Sequence, residues 1–151
     1  MATRSNSPFS VTPRWILFGA AAMVILGVVF RFSNLEGKLF WRDEAITALR
    51  VAGYTGAEFT REMYDGRVRS VAELRRYQNP QSEKTATDVI HSLAIEDPHH
   101  PPLYYLMERR WTQFFGTSFF VRRSLSALIG ILFIAAMLWL TQELFSNRVV
   151  A

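Results

Sequence analysis

One short stretch, Glu96–Leu106, has residue types that bind anions. Asp97 precedes a proline and therefore ends any helix before it, because that position is disfavoured in the helical backbone region. Pro101 and Pro102 suit the first turn of a new helix, whose N–H groups and positive dipole end attract an anion such as a phosphate. His100 adds a hydrogen-bond donor or a positive charge there. The residues alone favour a simpler interpretation, in which His-Pro-Pro only shapes a corner between loop and helix.

Two neighbouring carboxylates, Asp43 and Glu44, are a second candidate for chemistry. Asp43 can cap a helix predicted from Glu44 to Ala52, with Gly53 as its C-terminal stop. A carboxylate that faces a polar cleft can instead act as a general base and take the proton of a reacting hydroxyl. Capping aspartates far outnumber catalytic ones, so the residues alone favour the cap.

Two uncharged runs set the class of protein. Trp15–Phe30 and Leu125–Leu140 are each sixteen residues long and contain no charge. A membrane-spanning helix needs about 17–25 mostly apolar residues, so each run suffices once its flanks are counted. We therefore expect an integral membrane protein.

The positive charge of the chain lies at the flanks of these runs. The net charge is +4, but residues 33–99 hold nine Lys or Arg and eleven Asp or Glu. The excess lies at Arg4 and Arg14 and at Arg122 and Arg123, as expected of cytoplasmic flanks. No basic face with interleaved aromatic residues is present, so we expect no nucleic-acid partner. The absence of cysteine excludes thiolate metal sites and a cysteine nucleophile.

The first run predicts a membrane helix over residues 14–32, after a disordered cytoplasmic tail of residues 1–13. No small-x-small cleavage site follows it, so we expect an uncleaved span with its N-terminus in the cytoplasm. Residues 33–99 then form an extracytoplasmic loop. Capping-box spacing within that loop predicts short amphipathic helices near Ala57–Tyr64 and Val71–Tyr77, and apolar periodicity predicts a longer one near Glu83–Glu96. We expect these pieces to lack a core of their own and to lie on the membrane surface or against a larger protein.

The segment 100–120 is ambiguous. Placing Arg109 or Arg110 near the bilayer centre costs about 2.5–3.5 kcal/mol each, so the helix either lies in the interface or spans with its charges turned into a bundle. Spanning is favoured, because it returns Arg122 and Arg123 to the cytoplasm. Glu108 with its neighbouring arginines can line a substrate path, but an ion pair that stabilises a buried helix is the simpler hypothesis. A third membrane helix over residues 123–144 follows, and residues 145–151 begin a further segment.

Taken in order, these motifs resemble the N-terminal part of a polytopic glycosyltransferase of the GT-C type, in the family 39 group of protein O-mannosyltransferases and lipid A aminoarabinose transferases. The similarity is especially close to cyanobacterial family 39 sequences and runs from about Trp15 to the end. Each motif is short, whereas their order and spacing are fairly specific. The matching stretches are Phe40-Trp41-Arg42-Asp43-Glu44, Glu96-Asp97-Pro98, His100-Pro101-Pro102-Leu103-Tyr104-Tyr105, Phe115-Gly116-Thr117-Ser118, Arg123-Ser124-Leu125-Ser126-Ala127-Leu128 and Glu143-Leu144-Phe145.

The resemblance implies an enzyme of the plasma (inner) membrane that moves a sugar from a polyprenyl-phosphate carrier to an acceptor hydroxyl at the extracytoplasmic face. It implies Asp43 as the catalytic base, with Glu44 beside it. His100 stands where the aminoarabinose transferases have a lysine that contacts the carrier phosphate, and Arg42 is a second candidate for that contact. Those transferases can hold a divalent metal through an acidic residue where this chain has His99, so a metal there is an open alternative.

The expected fold is an all-α membrane protein with three transmembrane helices and an extracytoplasmic loop of short juxtamembrane helices, a truncated GT-C fold. Family members have many more membrane helices, so we expect a fragment that is inactive alone and has the missing remainder of the enzyme as a partner chain. The other expected partners are the lipid bilayer and the polyprenyl-phosphate-sugar donor. The alternative is a small non-catalytic membrane protein that packs against a partner through its loop helices. The sequence leaves the sugar, the acceptor and the oligomeric state open.

Overall fold

The computed structural model describes residues 14–145, and all regular secondary structure within that range is helical. This confirms the expected all-α class. The expected tail and the last six residues lie outside the described range. The helices are α1 (Arg14–Phe32), α2 (Arg42–Ala52), α3 (Gly56–Met63), α4 (Val71–Arg76), α5 (Ala86–Glu96), α6 (Leu103–Phe115) and α7 (Phe119–Phe145).

Two of the described helices are long and apolar enough to cross a membrane. They are α1, over the same residues as the first predicted span, and the part of α7 from Phe119 to Leu144. No residue of α1 is buried, as expected of a helix whose side chains meet lipid. The span predicted for residues 100–120 is not among them, because α6 covers only 13 residues and buries Glu108 and Arg109.

The chain divides into two compact units, and residues 34–126 form one of them, here called the loop domain. Contrary to expectation, the loop helices have a core of their own. Helices α2, α5 and α6 pack against one another, with Val51 and Val89 fully buried. A second cluster forms around Tyr54 and Tyr77, whose ring centroids lie 4.8 Å apart. The expectation of pieces without a core was wrong because it considered each helix separately.

Local capping sets several helix ends in the loop domain. Thr55 with Glu58 and Ser70 with Glu73 form the predicted capping boxes of α3 and α4. Helix α2 ends where predicted, at Gly53, whose φ of 89° lies in the left-handed region that glycine tolerates.

Two buried arginines hold the three core helices together. Arg109 of α6 donates to the carbonyl oxygens of Val51 and Ala52, at 2.8 and 3.2 Å, and so satisfies the C-terminal end of α2. Arg50 of α2 contacts Glu96 Oε2 at 2.6 Å at the end of α5. These side chains therefore stabilise the loop domain from within, and the charge of Arg109 is matched by helix carbonyl groups.

Candidate functional site

A cavity of about 200 Å³ lies in the loop domain beside the start of α2. It is here called the α2–α6–α7 cavity, after the helices that supply its polar lining. Three carboxylates and two guanidinium groups lie on its walls, together with hydroxyl groups that can bind a sugar. The lining residues are Phe40, Asp43, Glu44, Thr47, Tyr104, Glu108, Phe119, Arg122, Arg123 and Ser126.

Asp43 is exposed and lies in the first turn of α2, one residue inside the helix. The helix begins at Arg42, and the N-cap position belongs to Trp41. The backbone N–H of Trp41 donates to Oε2 of Glu44 at 3.1 Å, so Glu44 performs the capping. The interpretation of Asp43 as the cap was therefore wrong. Within residues 14–145 its carboxylate has neither a hydrogen bond nor an ion pair.

Glu44 is held by Arg123 in a two-pronged ion pair. Oε1 lies 2.6 Å from Nε of Arg123, and Oε2 lies 2.7 Å from Nη2. Arg123 also donates to the carbonyl oxygens of Leu35, Lys38 and Leu39, and so ties the segment before α2 to the first turns of α7. The hydrogen bond from Arg123 lowers the pKa of Glu44, which keeps this carboxylate ionised. Both carboxylate oxygens of Glu44 therefore accept hydrogen bonds that fix the start of α2.

Glu108 and Arg122 form a second ion pair that is buried. Nη1 of Arg122 donates to Oε1 of Glu108 at 3.1 Å, and the side chains are 7% and 4% exposed. Burial raises the pKa of Glu108, and the charge of Arg122 limits that rise. Arg122 also donates to the carbonyl oxygen of Gln78 and to Oδ1 of Asn79. The predicted pair that stabilises a helix exists, but its arginine comes from α7.

Tyr104 of α6 also lines the cavity. Its hydroxyl lies 2.8 Å from Oγ of Ser126, and burial raises its pKa to about 12. It therefore stays a protonated hydroxyl at neutral pH. Sequence reasoning did not single out Tyr104, because a tyrosine after two prolines has no local pattern that marks it as a site residue.

The two residues predicted to contact a carrier phosphate lie away from this cavity. His100 is exposed, and its Nδ1 lies 3.9 Å from Oδ1 of Asp97, an acidic neighbour that disfavours an anion. Arg42 lines a different groove of about 440 Å³, between α2, α3 and α4. The structure thus gathers Asp43 and Glu44 at one site and leaves His100 and Arg42 at two others.

The loop before α6 has the residues that can hold a metal ion. Ligand atoms of Asp97, His99 and His100 all lie within 4.8 Å of one another. Imidazole nitrogen with a carboxylate oxygen is a donor set that suits Zn²⁺ and related divalent ions. Oδ2 of Asp97 accepts hydrogen bonds from Nε and Nη2 of Arg50, which fixes the orientation of the Asp97 carboxylate.

No protein-family model matches the chain, and neither a curated protein nor a solved structure resembles it significantly. Any function inferred for the α2–α6–α7 cavity therefore depends on the geometry of its lining residues.

Proposed function

We propose that this chain forms part of a membrane glycosyltransferase of the GT-C family 39 type, with Asp43 as the general base. The enzyme transfers a sugar from a polyprenyl-phosphate carrier to an acceptor hydroxyl at the extracytoplasmic face. One observation supports this most strongly: Asp43 lies on a polar cavity wall without a partner among the described residues, whereas both other carboxylates there are in ion pairs.

The chemistry needs one free carboxylate in a defined position. The acceptor hydroxyl loses its proton as the new glycosidic bond forms, and a base within about 2.6–3.2 Å can take it. Glu44 and Glu108 are less suited to this, because an arginine binds both carboxylate oxygens of Glu44 and one carboxylate oxygen of Glu108. Their function in this proposal is to fix α2, α6 and α7 around the cavity, so that Asp43 stays at its wall.

The size of the cavity agrees with a site for one part of a ligand. Typical ligand pockets measure about 300–1,000 Å³, and this cavity is smaller, at about 200 Å³. We infer that it takes the hydroxyl-bearing end of an acceptor or a single sugar ring. Contacts to the carrier, including those predicted for His100 and Arg42, lie outside it.

The topology that fits this function has two spans. The predicted three-span arrangement depended on Arg122 and Arg123 as cytoplasmic flanking charges. Both arginines instead bind carboxylates of the loop domain, Glu108 and Glu44, and so their charges are matched there. We therefore propose that α1 and α7 span the membrane, with the loop domain and α6 outside and the N-terminus in the cytoplasm.

The proposal is tested with membrane vesicles from the cells that make this protein. Right-side-out and inverted vesicles receive a short-chain polyprenyl-phosphate sugar with a radioactive sugar. We expect transfer to acceptor hydroxyl groups in right-side-out vesicles only, and its loss when the gene for this chain is deleted. Transfer that is unchanged by the deletion would overturn the proposal. Recovery of the chain in a tight complex without any transfer would favour the non-catalytic alternative.

A further inference from the structure

The segment between α5 and α6 contains a tight turn, here called the Asp97–His100 turn. The backbone N–H of His100 donates to the carbonyl oxygen of Asp97 at 3.0 Å, which closes the turn. Aspartate at the first position and proline at the second, here Pro98, are favoured in such turns. The turn brings the carboxylate of Asp97 near the imidazole of His100, with Oδ1 and Nδ1 3.9 Å apart. Local sequence therefore holds these two side chains together.

The ligand atoms of this turn are close enough together to bind one ion. Those of Asp97, His99 and His100 all lie within 4.8 Å of one another. Two ligands of a tetrahedral zinc ion lie about 2.0–2.1 Å from it and therefore about 3.3–3.5 Å from each other. The ligand atoms must approach by at most about 1.5 Å to reach that spacing. The side chains of His99 and His100 are exposed, so rotations about their side-chain bonds can supply this movement.

Arg50 of α2 holds the carboxylate of the turn and leaves one of its oxygens for an ion. Nε and Nη2 of Arg50 both donate to Oδ2 of Asp97 at 3.1 Å, whereas Oδ1 faces His100. Carboxylates that bind metals are commonly fixed by such an additional hydrogen bond. Arg50 also pairs with Glu96 at 2.6 Å. One positive and two negative side chains leave a net negative charge, which attracts a cation.

We propose that Asp97, His99 and His100 together bind one divalent first-row transition-metal ion, with Zn²⁺ as the best match. Imidazole nitrogen with carboxylate oxygen suits such ions, whereas Mg²⁺ and Ca²⁺ take oxygen ligands. Three protein ligands leave a fourth position on the ion for water or an anion from solution. The family resemblance concerns position 99 alone, and the other two ligands follow from the geometry of the turn. His100 is then a metal ligand, and metal binding here does not require the proposed transfer reaction.

Zinc binding by the full chain tests the proposal. The protein is purified in detergent without a histidine tag, stripped of metal with a chelator and titrated with Zn²⁺ by isothermal titration calorimetry. His99→Ala and His100→Ala each remove one ligand, and His100→Cys replaces one ligand by another. His91→Ala is the matched control, because His91 is the remaining histidine of the chain and is exposed on α5 outside the turn. Transfer activity is not measured, so a failure here is distinguishable from a failure of the proposed function.

We expect one Zn²⁺ per chain that excess Mg²⁺ does not displace. Loss of a group that only supports a ligand weakens a metal site by about 10–100-fold, so loss of a ligand should weaken binding by about 100-fold or more. His99→Ala and His100→Ala should show that loss, His100→Cys should bind more tightly than His100→Ala, and His91→Ala should match the wild type. The proposal would be overturned by undetectable binding, by displacement with Mg²⁺, or by equal affinities of the wild type and the alanine variants at positions 99 and 100. An equal loss in His91→Ala, or no gain in His100→Cys over His100→Ala, would also overturn it.

Discussion

Removing Glu108 should destabilise the loop domain more than any other single loss of charge at the cavity. The change Glu108→Gln leaves Arg122 buried without its carboxylate, and breaking one side of a buried pair costs about 3–5 kcal/mol. Both side chains are less than a tenth exposed, which places this pair in the buried class. Arg122 keeps its hydrogen bonds to Gln78 and Asn79, so we expect a loss near the lower end, about 3 kcal/mol.

Glu44→Gln provides the matched comparison on the same cavity wall. The side chain of Glu44 is 33% exposed, and a partly exposed ion pair contributes about 1 kcal/mol or less. Unfolding is followed by thermolysin cleavage of the loop domain across a urea series in detergent, which reports the population of the open form. The free energy of unfolding falls by about 1–3 kcal/mol per molar urea. Glu108→Gln should therefore lower the urea midpoint of unfolding by about 1–3 M. Glu44→Gln should lower that midpoint by well under half as much. Equal shifts would refute the assignment of Glu108 and Arg122 to a buried pair.

Two further predictions concern pH and topology. The hydrogen bond to Arg123 lowers the pKa of Glu44 in the folded state. The ionised carboxylate of Glu44 therefore contributes to stability above its usual pKa of 4.5, and this contribution is lost as the pH falls below that value. Glu44→Gln should therefore flatten the acid limb of the stability curve below about pH 4.5, and an unchanged limb would contradict the ion pair with Arg123. For topology, Thr117→Cys should react with an impermeant maleimide from outside the cell, as should Glu36→Cys. Labelling of position 36 alone would restore the three-span arrangement.

Features set by neighbouring residues could be predicted from the sequence. The uncharged run of α1 and the three-residue spacing of Thr55 with Glu58 depend on local rules, and the structure has the corresponding helix and cap. The start of α2 was misplaced, although it is also local. A tryptophan is an unusual N-cap residue, and the carboxylate of Glu44 supplies the missing interaction by reaching back to the N–H of Trp41.

Features set by distant residues could not be predicted. Arg123 and Glu44 are 79 positions apart in the chain, and no spacing rule joins them. Counted as a flanking charge, Arg123 favoured a third span, whereas its actual partner lies on α2. The cavity is lined by side chains from α2, α6 and α7. Its lining therefore depends on how these three helices pack, which the sequence alone did not predict.

The rate of sugar transfer by Asp43→Asn tests the central claim most directly, when it is measured in right-side-out vesicles from the cells that make this protein, where the rest of the enzyme is present. The amide keeps the size of the side chain and removes the base, and no described residue depends on Asp43 for a hydrogen bond. Glu36→Gln is the control, because Glu36 is an exposed carboxylate of the loop domain that does not line the cavity. We predict normal membrane insertion for both variants, full activity for Glu36→Gln and transfer by Asp43→Asn reduced by a factor of about 10²–10⁴. Transfer by Asp43→Asn at the wild-type rate would contradict the assignment of Asp43 as the catalytic base.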